Sequence, residues 1–251
     1  MLNYSSVKMR YEPYPLAVLR PALDEGFYDQ LVAAYPPTSL FATMPKYAYK
    51  LSLSEKFNAE NYHRSISETP VWQKFHSWLK SEDFIRQTVN FLKSNNVDLM
   101  LDRAFEPSSA RLARTFQSLV RGRFPTEPLS LRSRFEFSVL KADGGEVAAH
   151  TDTPKKVITL VITMIREGEW KPEFGGGLDV NRPNDTAYAF NWNNRIVPWD
   201  KLEIIDTIPF APNQCTVFVK TFNSLHSVRK MTQQGSEALR KTITVVIERD
   251  E

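Results

Sequence analysis

The chain carries a single cysteine, Cys215, among 251 residues. An intramolecular disulfide is therefore excluded, and a reducing compartment is the simplest setting. No run of about eighteen apolar residues occurs, so nothing reads as a membrane-spanning helix. The N-terminus lacks the basic stretch and apolar core of a secretory signal. Together these absences predict a soluble, cytoplasmic protein with no membrane partner. The glycines form neither a dinucleotide nor a P-loop fingerprint. The one glycine run, Gly175 to Gly177, precedes no helix or lysine, which points to a bulge or a close backbone approach. A net charge of +3 is too small to argue for nucleic acid, and no nucleic-acid-binding motif accompanies it. No internal repeat is present.

What remains is a foldable chain, 42% hydrophobic, long enough for one large core. Its two halves differ in period. YPLAVLR reads as a short strand ended by Pro21. Asp24 caps a helix over EGFYDQLVAAY with Phe27, Leu31 and Ala34 inward, and Pro36 and Pro37 stop it. Residues 38–67 are aromatic-rich and give no clear period. Helical spacing returns in VWQKFHSWLK (Val71, Phe75, Trp78, Leu79). It continues in DFIRQTVNFLK (Phe84, Ile85, Thr88, Phe91), capped by Ser81. A further helix is predicted in SSARLARTFQSLV, with Leu112, Phe116 and Leu119 inward. These helices are expected to cover one face of a sheet formed later.

From residue 130 the period becomes two. LRSRFEFSVLK alternates, DGG turns the chain, and KKVITLVITMI suits a central strand. EFGGGLDV, KLEIIDTIPF, QCTVFVK and KTITVVIE supply more, with short connections rich in Gly, Pro and Asn. The pattern predicts an all-β core, a double-stranded β-helix or jelly roll, with flanking N-terminal helices: α+β overall. We expect one domain over 1–251, comprising a mainly helical flank with the first strand (1–129) and a catalytic core (130–251).

Histidine is also scarce, with four in the chain. His63 and His76 fall in the helical half. His150 sits in AHTDTP, two residues before Asp152, and His226 sits in FNSLHSV. Alternation along a strand sends residues i and i+2 to one face, so His150 and Asp152 can meet a histidine arriving from another strand. Two imidazoles and one carboxylate make a facial triad for non-haem Fe(II), with positions left for a co-substrate and dioxygen. Arg240 heads a β-branched run and offers a planar cation for a second carboxylate. A histidine taken alone is more often an ordinary surface or core residue, so the reading depends on the whole pattern.

AHTD, EFGGGLDV, LHSV and LRKTITVVI resemble the double-stranded β-helix dioxygenases that use iron and 2-oxoglutarate, most closely their prolyl-hydroxylase-like branch. The opening YPLAVLRPALDEGFYDQLVAAYPP is similar to that branch's first strand and helix. The resemblance implies that His150, Asp152 and His226 are catalytic iron ligands. It implies that Arg240 pairs with the distal carboxylate of 2-oxoglutarate, with Thr242 donating its hydroxyl. Lys241 and Arg229 are the rivals of Arg240; RKTIT keeps Arg240, Thr242 and Thr244 on one face. Halogenases of the superfamily lose the carboxylate, so Asp152 favours hydroxylation. The implied cofactors are Fe(II), 2-oxoglutarate and O2, with ascorbate as an optional reductant in vitro. The implied products are succinate, CO2 and a hydroxylated small molecule or peptide side chain.

Residues 111–134 hold Arg111, Arg114, Arg121, Arg123, Arg132 and Arg134 against the single acid Glu127. A solvated face is the plain explanation; an anionic substrate is the functional one, with Arg132 and Arg134 on a strand leading to the metal. Arg134, Glu136, Ser138 and Leu140 share that strand's face. The polar, aromatic stretch 181–199 reads as a specificity loop or a surface excursion, with Asn191, Trp192, Asn193 and Arg195 as its contact candidates. Two other functions compete: a cupin-like metal enzyme without 2-oxoglutarate, and a non-catalytic β-sandwich binding module. The oligomeric state is left open.

Overall fold

The fold is that of a computed structural model and covers residues 1–44, 50–120 and 129–250. It is α+β: two antiparallel sheets with helices against the larger. The larger sheet has eight strands in the order β1-β2-β10-β7-β12-β5-β4-β3. These are β1 (Val7–Arg10), β2 (Leu16–Leu19), β3 (Ala42–Met44), β4 (Lys50–Ser54), β5 (Leu131–Lys141), β7 (Lys156–Thr163), β10 (Cys215–Val219) and β12 (Leu239–Arg249). The smaller has the order β6-β11-β8-β9, from β6 (Val147–His150), β8 (Leu178–Pro183), β9 (Leu202–Ile208) and β11 (His226–Val228). No helix among the described residues is long and apolar enough to cross a membrane.

Period-two alternation makes the large sheet two-faced. Phe135, Phe137 and Val139 of β5, Ile158, Leu160 and Ile162 of β7, Cys215, Val217 and Val219 of β10, and Ile243, Val245 and Ile247 of β12 enter one core with the helices. The residues between them, among them Glu136, Ser138, Thr159, Thr242 and Thr244, line a cavity on the other face. Two small apolar clusters flank this second face. One joins Leu16 and Phe218 to Leu178, Val180 and Ile208 of the smaller sheet. The other gathers Leu140, Trp170, Val228 and Met231.

The helical layer consists of α1 (Glu25–Ala33), α2 (Ala59–Ser67), α3 (Pro70–Leu79) and α4 (Glu82–Ser94). Asp24 and Ser81 cap α1 and α4, accepting from the amides of Phe27 and Phe84. The buried face of α1 is Tyr28, Leu31 and Val32, rotated from the expected Phe27–Leu31–Ala34 stripe. Tyr28 follows its hydroxyl inward, donating to the Ile165 carbonyl at 2.7 Å. In α3 Trp72 is buried with Phe75 and Leu79, while Val71 and Trp78 pack at the margin. Trp72 stacks edge-on against Phe137 at 4.7 Å and donates Nε1–H to the Ala34 carbonyl at 2.8 Å.

Two expectations fail here. Residues 38–67 hold β3, β4 and α2, so the segment with no clear period extends the large sheet beside β5. Both strands are short, three and five residues, with β3 at the sheet edge, and the pattern is too brief to stand out. The predicted helix α5 (Ser108–Val120) forms, yet Leu112 and Phe116 face solvent, 71% and 69% exposed. Among the described residues α5 packs substantially on no other element. Its apolar stripe establishes amphipathicity without naming a neighbour. The side chain of Leu119 lies outside the described residues.

These two helical and sheet positions are separable by stability. Phe137→Ala should cost about 3–5 kcal/mol in chemical denaturation, as for other fully buried aromatics. Leu112→Ala should stay within about 0.5 kcal/mol. A cost at Leu112 comparable to that at Phe137 would contradict the exposed placement of α5.

Candidate metal centre

His150 ends β6 and His226 begins β11, and the two are direct partners in that antiparallel pair. Their rings lie 4.5 Å apart, with Phe218 packed 4.4 Å from His226. Asp152 lies just past the end of β6 and is buried. One donor atom from each of the three falls within 4.8 Å of the others, and no other such group occurs among the described residues.

Both imidazoles are oriented by the same device. Nδ1 of His150 lies 2.8 Å from the Ala148 carbonyl, and Nδ1 of His226 lies 3.0 Å from the Ser224 carbonyl. A carbonyl only accepts, so each Nδ1 carries the proton and each Nε2 keeps its lone pair. Burial, aided by the neighbouring His226, pushes His150 down to about 3. Burial also lowers His226. Burial alone would raise Asp152, but the ammonium of Lys156, backed by the two imidazoles, holds it well below the usual carboxylate range. The triad is thus two neutral nitrogens and one ionised carboxylate. Thr159 donates to Asp152 Oδ2 at 2.6 Å, and Lys156 Nζ donates to Oδ1.

Arg240 reaches the same cavity, of about 160 Å³, from β12. Its register opposite Leu140 puts Thr242 opposite Ser138, so both face the triad. Arg240 is 6% exposed. Its Nε donates to the Gly176 carbonyl at 2.6 Å, and its guanidinium lies 4.7 Å over the Phe210 ring. Burial lowers it to about 10, so it stays charged at neutral pH. Among the described residues no carboxylate pairs with it, an unusual condition for a buried guanidinium. Gly176 has φ +74°, and a Cβ there would sit 3.0–3.2 Å from Trp170, Met231 and Arg240. The glycine run is therefore the close approach its sequence suggested. Tyr35 shares its hydroxyl proton between the carbonyls of Thr242 (2.9 Å) and Ser138 (3.2 Å), pinning the floor.

The remaining sequence candidates lie elsewhere or are engaged. Arg134 lines the cavity but shares its Nε–H between both oxygens of Glu248, at 2.9 Å each. Arg132 points outward to Glu248 and Asp250. Arg114 pairs with Glu106. Arg229, a rival to Arg240, is held by Asp179. Arg121, Arg123, Glu127 and the side chain of Arg111 lie outside the described residues. Asn191, Trp192 and Arg195 are absent from the cavity wall. The Asn191 amide closes its own loop on the Arg195 backbone. The Asn191 backbone carbonyl accepts from Thr151 Oγ1 at 2.6 Å and Lys220 Nζ at 3.3 Å. Trp192 covers Lys220, and Arg195 covers Tyr188. The loop is stitched to the His150–Asp152 segment rather than reaching inward.

Sequence reasoning passed over three cavity groups. Lys156 and Thr159 hold the ligand carboxylate; the signal was a lysine four residues after the aspartate, read only as the start of a strand. Lys50, at the unassigned start of β4, pairs with Glu136 at 2.5 Å. Burial opposes ionisation of Glu136, but Lys50 outweighs it and leaves the carboxyl below its ordinary value.

This donor set fits Fe(II), and the unpaired guanidinium across the cavity fits a carboxylate-bearing co-substrate such as 2-oxoglutarate. No family model and no curated protein matches the sequence. Among solved structures the chain is similar to the non-haem α-ketoglutarate-dependent epimerase SnoN from nogalamycin biosynthesis (12% identity, 93% of this chain and 78% of that one, TM-score 0.48). It is similar to a Caulobacter crescentus protein provisionally named as 2OG-Fe(II) oxygenase family (14%, 93% and 77%, 0.45). It is also similar to a prolyl hydroxylase from Trichoplax adhaerens, in complex with a hypoxia inducible factor peptide (11%, 93% and 83%, 0.44). Similarity this distant carries no argument about activity; the case rests on the site.

Burial lowers both imidazoles, His150 to about 3, so metal binding at ordinary pH needs little proton release from them. Two unperturbed imidazoles would lose about tenfold in metal affinity between about pH 7.5 and about pH 6. Mn(II) affinity should instead fall by much less than tenfold over that interval, because both imidazoles are lowered. A tenfold loss by calorimetric titration would contradict the assigned electrostatics.

Proposed function

We infer that this chain belongs to the Fe(II)/2-oxoglutarate dioxygenase superfamily and hydroxylates an unactivated C–H bond of a small molecule or peptide side chain, releasing succinate and CO2. One observation carries the reading: a triad of two Nε2 lone pairs and one carboxylate shares a cavity with a buried arginine that has no acid of its own among the described residues. The two facing antiparallel sheets support a double-stranded β-helix core over 130–251, with residues 1–129 as its flank in a single catalytic unit. The AHTD, LHSV and RKTITVVI segments support the prolyl-hydroxylase-like branch. A reducing, cytoplasmic setting suits both the lone cysteine and a ferrous site.

Bound iron would supply activation of dioxygen, coupled to oxidative decarboxylation of 2-oxoglutarate. The chain supplies everything that surrounds it. His150 and His226 present Nε2, fixed in tautomer by the Ala148 and Ser224 carbonyls. Asp152 offsets the metal charge and is steadied at one oxygen by Thr159. Arg240 receives the distal carboxylate of 2-oxoglutarate as a two-pronged donor, held ready by Gly176 and Phe210. Thr242 adds a hydroxyl beside it. Val161, Leu178, Phe218 and Val228 line the cavity with apolar surface, which lowers the local dielectric and strengthens each charged contact. A cupin-like enzyme without 2-oxoglutarate, or a binding module, leaves the desolvation of Arg240 without a purpose.

The test is succinate release from 2-oxoglutarate with Fe(II). His150→Ala should abolish it. Arg240→Gln should raise the KM for 2-oxoglutarate about 10–100-fold, the loss of a charge-assisted pair, with Mn(II) affinity unchanged. Arg240→Lys should recover part of the loss. Wild-type protein that binds metal but not 2-oxoglutarate would overturn the reading.

A further inference from the structure

The charges that line the cavity can be matched one against another. Lys50 is engaged by Glu136 at 2.5 Å, and Arg134 by Glu248 at 2.9 Å. Arg240 has no acid partner among the described residues and, on the reading above, takes the co-substrate. Lys156 alone is paired with a group that the same reading assigns to the metal, Asp152.

Both oxygens of Asp152 already accept a hydrogen bond, so a dication coordinated at Oδ1 would share that oxygen with an ammonium. Thr159 donates to Oδ2 from inside β7, where its side chain is buried and its position is fixed by the sheet. Lys156 donates to Oδ1 from the first residue of β7, on a flexible four-carbon stem with its side chain 20% exposed. An ammonium and a dication on one oxygen repel strongly at such range. Thr159 is neutral and compatible with the metal; Lys156 is charged and able to move. Metal binding at Oδ1 therefore displaces Lys156 and leaves its ammonium in the cavity. Glu136, the acid beside it, is already met by Lys50 and cannot neutralise both. A desolvated ammonium without an acid is costly.

We propose that Lys156 changes partner: it holds the Asp152 carboxylate until a metal takes that oxygen, and then binds an anionic group, carboxylate or phosphate, of the substrate. The cavity then handles two acids with two cations, the co-substrate on Arg240 and the substrate on Lys156. Metal loading becomes the condition for binding an acidic substrate. This rests on the assigned metal and co-substrate sites. It replaces the arginine cluster as the basis for an anionic substrate, since Arg114, Arg132 and Arg134 have acids of their own.

Two measurements test it, on wild type, Lys156→Met and Lys156→Arg. The first is Mn(II) affinity. A competitor removed should tighten binding in Lys156→Met about tenfold, whereas loss of a supporting outer partner weakens it by about 10–100-fold. Equal or weaker binding overturns the proposal. The second uses Co(II)-loaded protein saturated with 2-oxoglutarate under nitrogen, so that the metal and Arg240 are engaged. Acetate and methyl phosphate are titrated separately, with acetamide as the neutral control, and the visible Co(II) spectrum is followed. At least one anion should produce a saturable change that is lost in Lys156→Met and kept in Lys156→Arg; which one responds identifies a carboxylate or a phosphate. The same response in Lys156→Met, no response to either anion, or an equal response to acetamide overturns the proposal. Protein that fails to bind metal or 2-oxoglutarate at the outset refutes the underlying site assignment instead, and this inference with it.

Discussion

The structure turns on one pairing: His226 of β11 opposite His150 of β6. That register brings two imidazoles within ring contact from segments far apart in the chain. It works chemically because each ring is tied by Nδ1–H to the carbonyl two residues before it. The repeated i−2 bond fixes tautomer and tilt together, so the lone pairs converge without help from distant side chains. A slip of one residue in the β6–β11 register would turn one imidazole to the opposite face. The rest of the molecule can be understood as whatever holds this short pairing against the larger sheet.

The larger sheet does so by dividing its faces. Alternate residues of β5, β7, β10 and β12 bury against helices on one side and build a polar wall on the other. The helical side carries the stability, through Trp72, Phe135 and Phe137 in mutual contact. The polar side carries charges in named pairs, with Arg240 the exception among the described residues. Tyr35 joins the two functions: it packs edge-on against Phe137 while its hydroxyl fixes the carbonyls of Ser138 and Thr242 under the cavity. A cavity with charged walls is costly to maintain, and the apolar clusters around Phe218 and Trp170 seal its flanks.

Much of this was legible in sequence, and the failures share a cause. The triad could be found because histidine is rare and the His-x-Asp spacing puts two ligands on one face. Alternation put Arg240 and Thr242 on one face, their expected role came from the resemblance to the dioxygenases, and alternation also marked the strands from residue 130 onward. What failed was the identity of neighbours. Periodicity in α5 was real, but Leu112 and Phe116 face solvent, with no substantial packing on another element among the described residues. Asn191, Trp192 and Arg195 had the right chemistry for substrate contact, yet they spend it on Lys220, Tyr188 and their own loop. Lys50 and Lys156 were invisible as site residues, because a lysine at the start of a strand looks like solvent decoration until its acid is known. Long-range charge pairing is a property of the folded register, and no local pattern reports it.

X-ray absorption at the iron edge of the Fe(II)-loaded protein tests the central claim most directly. The account requires one iron per chain, with outer-shell scattering from two imidazoles and a first shell completed by oxygen, reduced to one imidazole in His226→Ala. A first shell of oxygen alone, a sulfur contribution from Cys215, or a spectrum indifferent to His226→Ala would contradict it.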